Sequence, residues 1–437
     1  MTFTPLNWNL VGTDADTDRD AFNTMSANLW TPEQVSLADD AEDMRGLSET
    51  ERLALVRIFA GLSSVESLQA GSATSALSAD AGQDETGTRQ AVLTAIAFGE
   101  SIHTKAYSTL IAELGKNAGK TGGAHNTDAG SYASSIDSAT ADDTKNANDA
   151  AQSPFTWVQQ NESMQEKLRL LNDAYATAIN GAAAATNRDK NPGPNPDATA
   201  DSANISLPTE IAAPNALASD SANGNGDDSA ASRVPDLGTL KRLATAVLAE
   251  ALVVQSGFYL PMWLSSHGTL TKSADIIRLI NRDIVTSSSY LGAVYQRKLD
   301  PLNDTARETM RQYTYDLANN LYFSEEDYSY TLPYADLSLE DDTEKFLSHN
   351  ANKALSYLGY PTLFPAEISQ PNPAVIDELN DMESLTDTIK SGGLFSAGAG
   401  FASTNSASAA GAPTSTTSTD TTADNKAEET SDDDWDF

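Results

Sequence analysis

Glu100 and His103 stand three residues apart in Ala95-Ile96-Ala97-Phe98-Gly99-Glu100-Ser101-Ile102-His103, with Tyr107 four residues further on. On a helix, that spacing sends all three side chains from one face. In helical bundles that hold two iron or manganese ions, Glu-x-x-His pairs from two helices and single carboxylates from two others surround the metals. Alone the pair is weak evidence, because Glu-x-x-His arises by chance on solvated faces. Its surroundings change the weighing. Glu100 follows an apolar run, and Glu250 interrupts Ala246-Val247-Leu248-Ala249 and Ala251-Leu252-Val253-Val254. Glu66 is a third acid on a mostly apolar stretch, Leu62-Ser63-Ser64-Val65-Glu66-Ser67-Leu68-Gln69. Isolated carboxylates are too costly to bury in such places without a partner.

The segments that must position these acids are helical. Apolar residues recur with helical spacing over 49–70, 88–114, 239–264 and 274–299, between turn residues. Ser48 and Glu51 form a capping-box pattern ahead of the first. Alternating β-branched runs are scarce, so the fold class is all-α: a helical bundle with polar residues directed into its core. Two stretches, about 116–152 and 180–232, are rich in Ala, Ser, Asn, Asp, Gly and Thr and read as solvated, disordered acidic insertions. Between them, Phe155–Val158 and 164–175 recover helical periodicity. The domain organisation is therefore a helical domain over 1–395 and a flexible tail over 396–437. That tail is too poor in apolar residues to order itself, yet it ends in Asp434-Trp435-Asp436-Phe437, an apolar anchor suited to docking.

Composition removes several function classes. The 437 residues include no cysteine, which excludes disulfides, thiolate metal sites and cysteine nucleophiles. Asp and Glu total 62 against 27 Lys and Arg, a net charge of -35 that repels nucleic acid and anionic membranes and suits a halophilic setting. The N-terminus lacks a basic, then apolar, leader, and no apolar run reads as long enough to span a bilayer, so the cytoplasm is the expected compartment.

The segments Asn7-Trp8-Asn9, Asn28-Leu29-Trp30-Thr31-Pro32-Glu33, Glu100 to Ser108, Ser256-Gly257-Phe258-Tyr259-Leu260-Pro261, Asn350-Ala351-Asn352-Lys353-Ala354-Leu355 and the closing Asp-Trp-Asp-Phe resemble class Ib ribonucleotide reductase small (β) subunits. The resemblance spans nearly the whole chain apart from the insertions and most of the tail. It implies a ferritin-like bundle, an iron or manganese dimetal site, and a tyrosyl radical used by a large (α) subunit to reduce ribonucleotides. It implies Glu66, Glu100, His103 and Glu250 as metal ligands, with Glu66 standing where the family usually has aspartate. Tyr107 would carry the radical, and Trp8 and Asp283 would belong to the radical-transfer path, with ordinary packing as the alternative for Trp8. Trp435 and Phe437 would dock the large subunit. A homodimer and a flavodoxin-like activating protein also follow from the resemblance.

Two departures stand out. The family's fourth core helix has Glu-x-x-His after Arg-Asp, whereas here Arg282-Asp283 precedes Ile284-Val285-Thr286-Ser287, so Ile284 and Ser287 replace two ligands. One metal or none is expected at useful affinity. The family's tail tyrosine is also missing: none occurs between Phe395 and Phe437. His125, His267 and His349 read as surface or capping histidines. Three functions stay open: a working β subunit, a degenerate homologue that binds the large subunit without generating a radical, and an unrelated ferritin-like iron protein or oxidase. The third leaves the C-terminal anchor unexplained.

Overall fold

The structure, a computed structural model, describes residues 6–81, 87–116, 141–184, 237–331, 334 and 337–381. All of these belong to the unit Met1–Ser396; the second unit, Ala397–Phe437, lies outside the described residues. Among the described residues there are helices and no strand. In chain order they are α1 (Thr13–Ala27), α2 (Ala41–Gly46), α3 (Glu49–Leu68), α4 (Thr74–Ala81), α5 (Thr88–Lys116), α6 (Ala141–Gln160), α7 (Glu162–Ala184), α8 (Gly238–Leu248), α9 (Tyr259–Ser266), α10 (Thr271–Leu299), α11 (Asp304–Thr331), α12 (Glu340–Tyr357) and α13 (Pro373–Asn380).

The four periodic segments become α3, α5, α8 with α9, and α10. The capping box forms: the Ser48 hydroxyl accepts from Glu51 N at 3.2 Å, and Ser48 N donates to Glu51 Oε2 at 2.8 Å. The start of α10 is held from a distance, because Asp40 accepts from the backbone of Lys272 (3.0 Å) and Ser273 (2.6 Å) while Asp43 accepts from Leu270 N (2.9 Å). Two acids at a helix N-terminus satisfy its open N–H groups and complement its dipole. α3 packs along α5, α8 lies against α7 and α10, and α1 covers α5 and α10. α10 and α12 come close together at Gly292, where an added Cβ would lie 2.3 Å from the Tyr357 carbonyl oxygen.

Two findings differ from the sequence reading. α6 begins at Ala141, inside the stretch assigned to the first insertion, and carries Pro154 within it. The helical stretches Glu49–Ser78 and Gly238–Ser266 are, contrary to expectation, long and apolar enough to cross a bilayer. Both are core helices here, the apolar window of the second being wholly buried, and a helix apolar on all sides is what the middle of a large bundle requires.

Each of these long helices changes pitch beside the acids. α3 passes into a π-helical turn at Gln69–Ala73, just after Glu66, and α8 passes into one at Ala249–Val254, which carries Glu250. A π turn inserts an extra residue and re-aims the side chains around it, and such turns concentrate at functional sites.

Candidate metal centre

Glu66 comes from the last turn of α3, Glu100 and His103 from the middle of α5, and Glu250 from the π turn after α8. All four are buried. One ligand atom each of Glu66, Glu100 and His103 can be chosen so that all lie within 4.8 Å of one another. His103 Nδ1 lies 3.3 Å from Glu66 Oε2 and 3.6 Å from Glu100 Oε2. Its Nε2 faces Asp283 Oδ2 at 3.4 Å, the arrangement in which a carboxylate fixes a metal-binding imidazole's orientation.

Burial, followed by the negative charge of Glu66, pushes the Glu100 carboxyl well above the usual carboxylate range. Burial and Glu100 do the same to Glu250. Burial opposes a charged His103, but Glu66, Asp283 and Glu100 outweigh it and hold the imidazole well above its ordinary value. Burial also opposes the Asp283 carboxylate, yet His103 and Arg282 bring it below its ordinary value. Acids crowded this way call for a cation.

The donor set fits one metal ion. Glu100 Oε2 and Glu250 Oε2 are buried with no hydrogen-bond partner, a costly state that a cation removes. The set does not fit two ions well. Ile284 is packed in the apolar core, and the Ser287 hydroxyl turns back to donate to the Ile284 carbonyl at 3.1 Å. A second ion would have Glu250 and Glu100 as its protein ligands.

Tyr107 is fully buried on α5, and its hydroxyl donates to Glu66 Oε1 at 3.4 Å. Burial, then the charges of Glu66, Glu250 and Glu100, raise its pKa well above the phenolic range, so the phenol holds its proton.

Asp283 reaches the centre, but Trp8 is half-buried against Phe22, ring centroids 4.8 Å apart. The indole that meets Asp283 is Trp30, whose Nε1 donates to Oδ2 at 2.7 Å. Arg282 explains the difference: Nη2 donates to the Asn28 carbonyl at 2.5 Å and to Asp283 Oδ1 at 3.1 Å, drawing the segment after α1 onto α10. Trp30 was visible within the Asn28–Glu33 segment, but 253 residues separate it from Asp283. Gln69 and Tyr175 were also missed: Tyr175 donates to Gln69 Oε1 at 2.8 Å, and Gln69 Nε2 donates to Glu250 Oε1 at 2.9 Å. The position of Gln69, three residues after Glu66, was a usable signal. Tyr175 arrives across an insertion and offered none.

His267 is exposed at the C-cap of α9 and lies against Trp263 with the rings tilted by 42°, and His349 is half-buried on α12. Trp435, Phe437 and His125 lie outside the described residues.

The family model for the ribonucleotide reductase small chain matches residues 7–191 and 205–373. A ribonucleoside-diphosphate reductase subunit beta of Mycobacterium tuberculosis is 32% identical over 370 residues, 85% of each chain. The Escherichia coli ribonucleoside-diphosphate reductase 2 subunit beta is 29% identical over 375 residues, 86% of this chain and 88% of that one. The Streptococcus sanguinis dimanganese(II)-NrdF crystal structure shares the fold, with a TM-score of 0.61 and 23% identity over 87% of this chain and all of that one. A match that runs from the segment before α1 to the start of α13, and takes in every helix of the acidic centre, places this chain in the ribonucleotide reductase small-chain family.

Proposed function

We propose that this chain is the β subunit of a ribonucleoside-diphosphate reductase and that Tyr107 is the residue it oxidises. The observation that carries the reading is the Tyr107 hydroxyl, enclosed from water and 3.4 Å from a carboxylate of the three-donor group. Glu66, Glu100 and His103, with Glu250 beside them, would hold iron or manganese; the Streptococcus sanguinis relative is described as a dimanganese(II) protein. Once bound and activated by an oxidant, the metal supplies the one-electron oxidation of the phenol. Loss of that electron makes the phenol strongly acidic, and Glu66 Oε1 is placed to take its proton. The apolar wall around Tyr107, including Phe59 stacked at 6.1 Å, excludes water that would quench a radical. His103, Asp283 and Trp30 form a hydrogen-bonded series leading away from the acids, and we assign it the transfer of electron and proton that the sequence had given to Trp8 and Asp283.

The large subunit is the partner this function requires, with Trp435 and Phe437 as docking anchors, a second copy of the chain completing a homodimer, and a flavodoxin-like protein supplying the oxidant. The cytoplasm of a halophilic cell fits the charge. A second reading, a degenerate homologue that binds the large subunit without making a radical, is favoured by Ile284 and Ser287 in place of ligands and by the missing tail tyrosine.

Reconstitution with iron and with manganese separately, followed by metal analysis and electron paramagnetic resonance, decides between them. A tyrosyl signal that disappears in Tyr107→Phe is the expected result. One metal or none, with no radical under either ion, would overturn the radical-generating role and leave the degenerate homologue.

A further inference from the structure

Beside the acids, between α1, α5 and α10, lies a cavity of about 340 Å³ that reaches Glu100 and His103 and is otherwise largely apolar. Two of its lining residues, Phe98 on α5 and Leu29 just after α1, are 54% and 46% exposed. Singly exposed apolar side chains are ordinary, but here two of them stand beside an apolar hollow on the same face. That face also lacks charge. Asp and Glu number 62 among the 437 residues, yet residues 21–30, 90–99 and 284–296, which supply most of the cavity wall, include no Asp, Glu, Lys or Arg. Of the acids in the lining, Glu100 is buried and Asp283 is held by His103, Arg282 and Trp30. Thr94, Phe98 and Ser101 continue the exposed face along α5 at spacings of four and three. The next exposed charge towards the end of that helix, Lys105, is paired with Glu33.

Building on the homodimer proposed above, we infer that its interface is this face, with Phe98 of each copy seated in the cavity of the other. Charge selects the occupant. In a two-fold interface the same patch meets itself, so a charged group near the axis faces its own like charge, an arrangement that suppresses association. Two copies that each carry -35 can approach closely only where charge is absent. A basic partner would instead be drawn to the acid-rich surface, where opposite potentials attract, and gains nothing from an uncharged face. Shape agrees with this choice. A cavity of about 150 Å³ already admits benzene, so one of about 340 Å³ has room for a phenyl ring. An aromatic anchor seated in a pocket is the usual source of an interface's binding energy.

Analytical ultracentrifugation of the full-length chain over a concentration series in high salt is the test. The parent is expected to sediment as a dimer. Phe98→Asp is expected to raise the dimer dissociation constant about 100-fold or more, because a two-fold interface loses the anchor twice and brings two added charges together. Leu29→Asp, at the second exposed apolar position and outside any helix, is expected to raise it about tenfold or more. Phe323→Asp is the control: Phe323 is 60% exposed on α11 and does not line the cavity, so this variant is expected to dimerise as the parent does. Circular dichroism and a melting curve establish that each variant is folded. A parent that stays monomeric would overturn the interface and the homodimer together. A dimeric parent whose folded Phe98→Asp or Leu29→Asp variant dimerises equally well, or that Phe323→Asp weakens to the same degree, would overturn this interface and leave the homodimer standing. Phe98 and Leu29 lie on separate segments, so failure of one variant to fold leaves the other as the test.

Discussion

Glu250 shows how a single hydrogen bond prepares a buried acid. Gln69 donates to Oε1, Tyr175 donates to Gln69, and Oε2 is left with no partner. Gln69 thereby fixes which oxygen faces the centre, as outer partners of metal ligands do. Gln69→Leu is expected to reduce metal affinity about 10–100-fold, measured by competition with a chromophoric chelator. Tyr175→Phe removes only the donor behind Gln69 and should cost less; an equal loss would mean that Tyr175 acts on the site directly. At this scale the sequence was informative where spacing is local. Glu100 and His103 share a helix face because they are three residues apart, and no folded contact is needed to see it. The partnerships of Asp283 with Trp30 and of Glu250 with Gln69 join residues 253 and 181 positions apart, and separations of that size leave no periodic trace.

At the scale of the element, helix positions follow from apolar period and caps: the observed bounds of α3, α5 and α10 lie close to the expected ones, while the expected 239–264 segment is divided into α8, a π turn and α9. The π turns after Leu68 and Leu248 were not legible, because period 3.6 describes the residues on either side and says nothing of one inserted between them. The contact of α10 with α12 gives a sharp prediction. A methyl group at residue 292 would meet the Tyr357 carbonyl at 2.3 Å, and a backbone atom cannot rotate aside as a side chain can. Gly292→Ala is therefore expected to destabilise the chain by about 1–3 kcal/mol, the usual cost of overpacking, despite alanine's better helix propensity. Urea denaturation measures it, and a stability equal to or above that of the parent would show that the helices separate at little cost.

For the molecule as a whole, a net charge of -35 on 437 residues is the dominant surface property. Inside the core, by contrast, Lys167 Nζ meets Glu325 Oε1 at 2.7 Å, and Ser256 donates to Glu325 Oε2 at 2.6 Å. Added salt should therefore act on the surface and leave such pairs alone. Raising potassium chloride from about 0.1 M to about 2 M shortens the screening length from about 10 Å to well under 3 Å. The melting temperature is expected to rise across that range as self-repulsion is screened. A flat or falling midpoint in scanning calorimetry would mean that surface repulsion does not limit stability.

What the sequence determined by itself is what local pattern and composition encode: an all-helical chain, four apolar helices, acids set where an apolar core would surround them, and the replacement of two expected ligands by Ile284 and Ser287. The tertiary structure alone decided which donors converge, that Trp30 and not Trp8 meets Asp283, that Gln69 and Tyr175 stand behind Glu250, and that an apolar cavity reaches Glu100. The division has one physical cause. Helix periodicity is set by neighbours three and four residues away, whereas a buried site is assembled from helices whose relative rotation and depth are settled by the packing of the entire core.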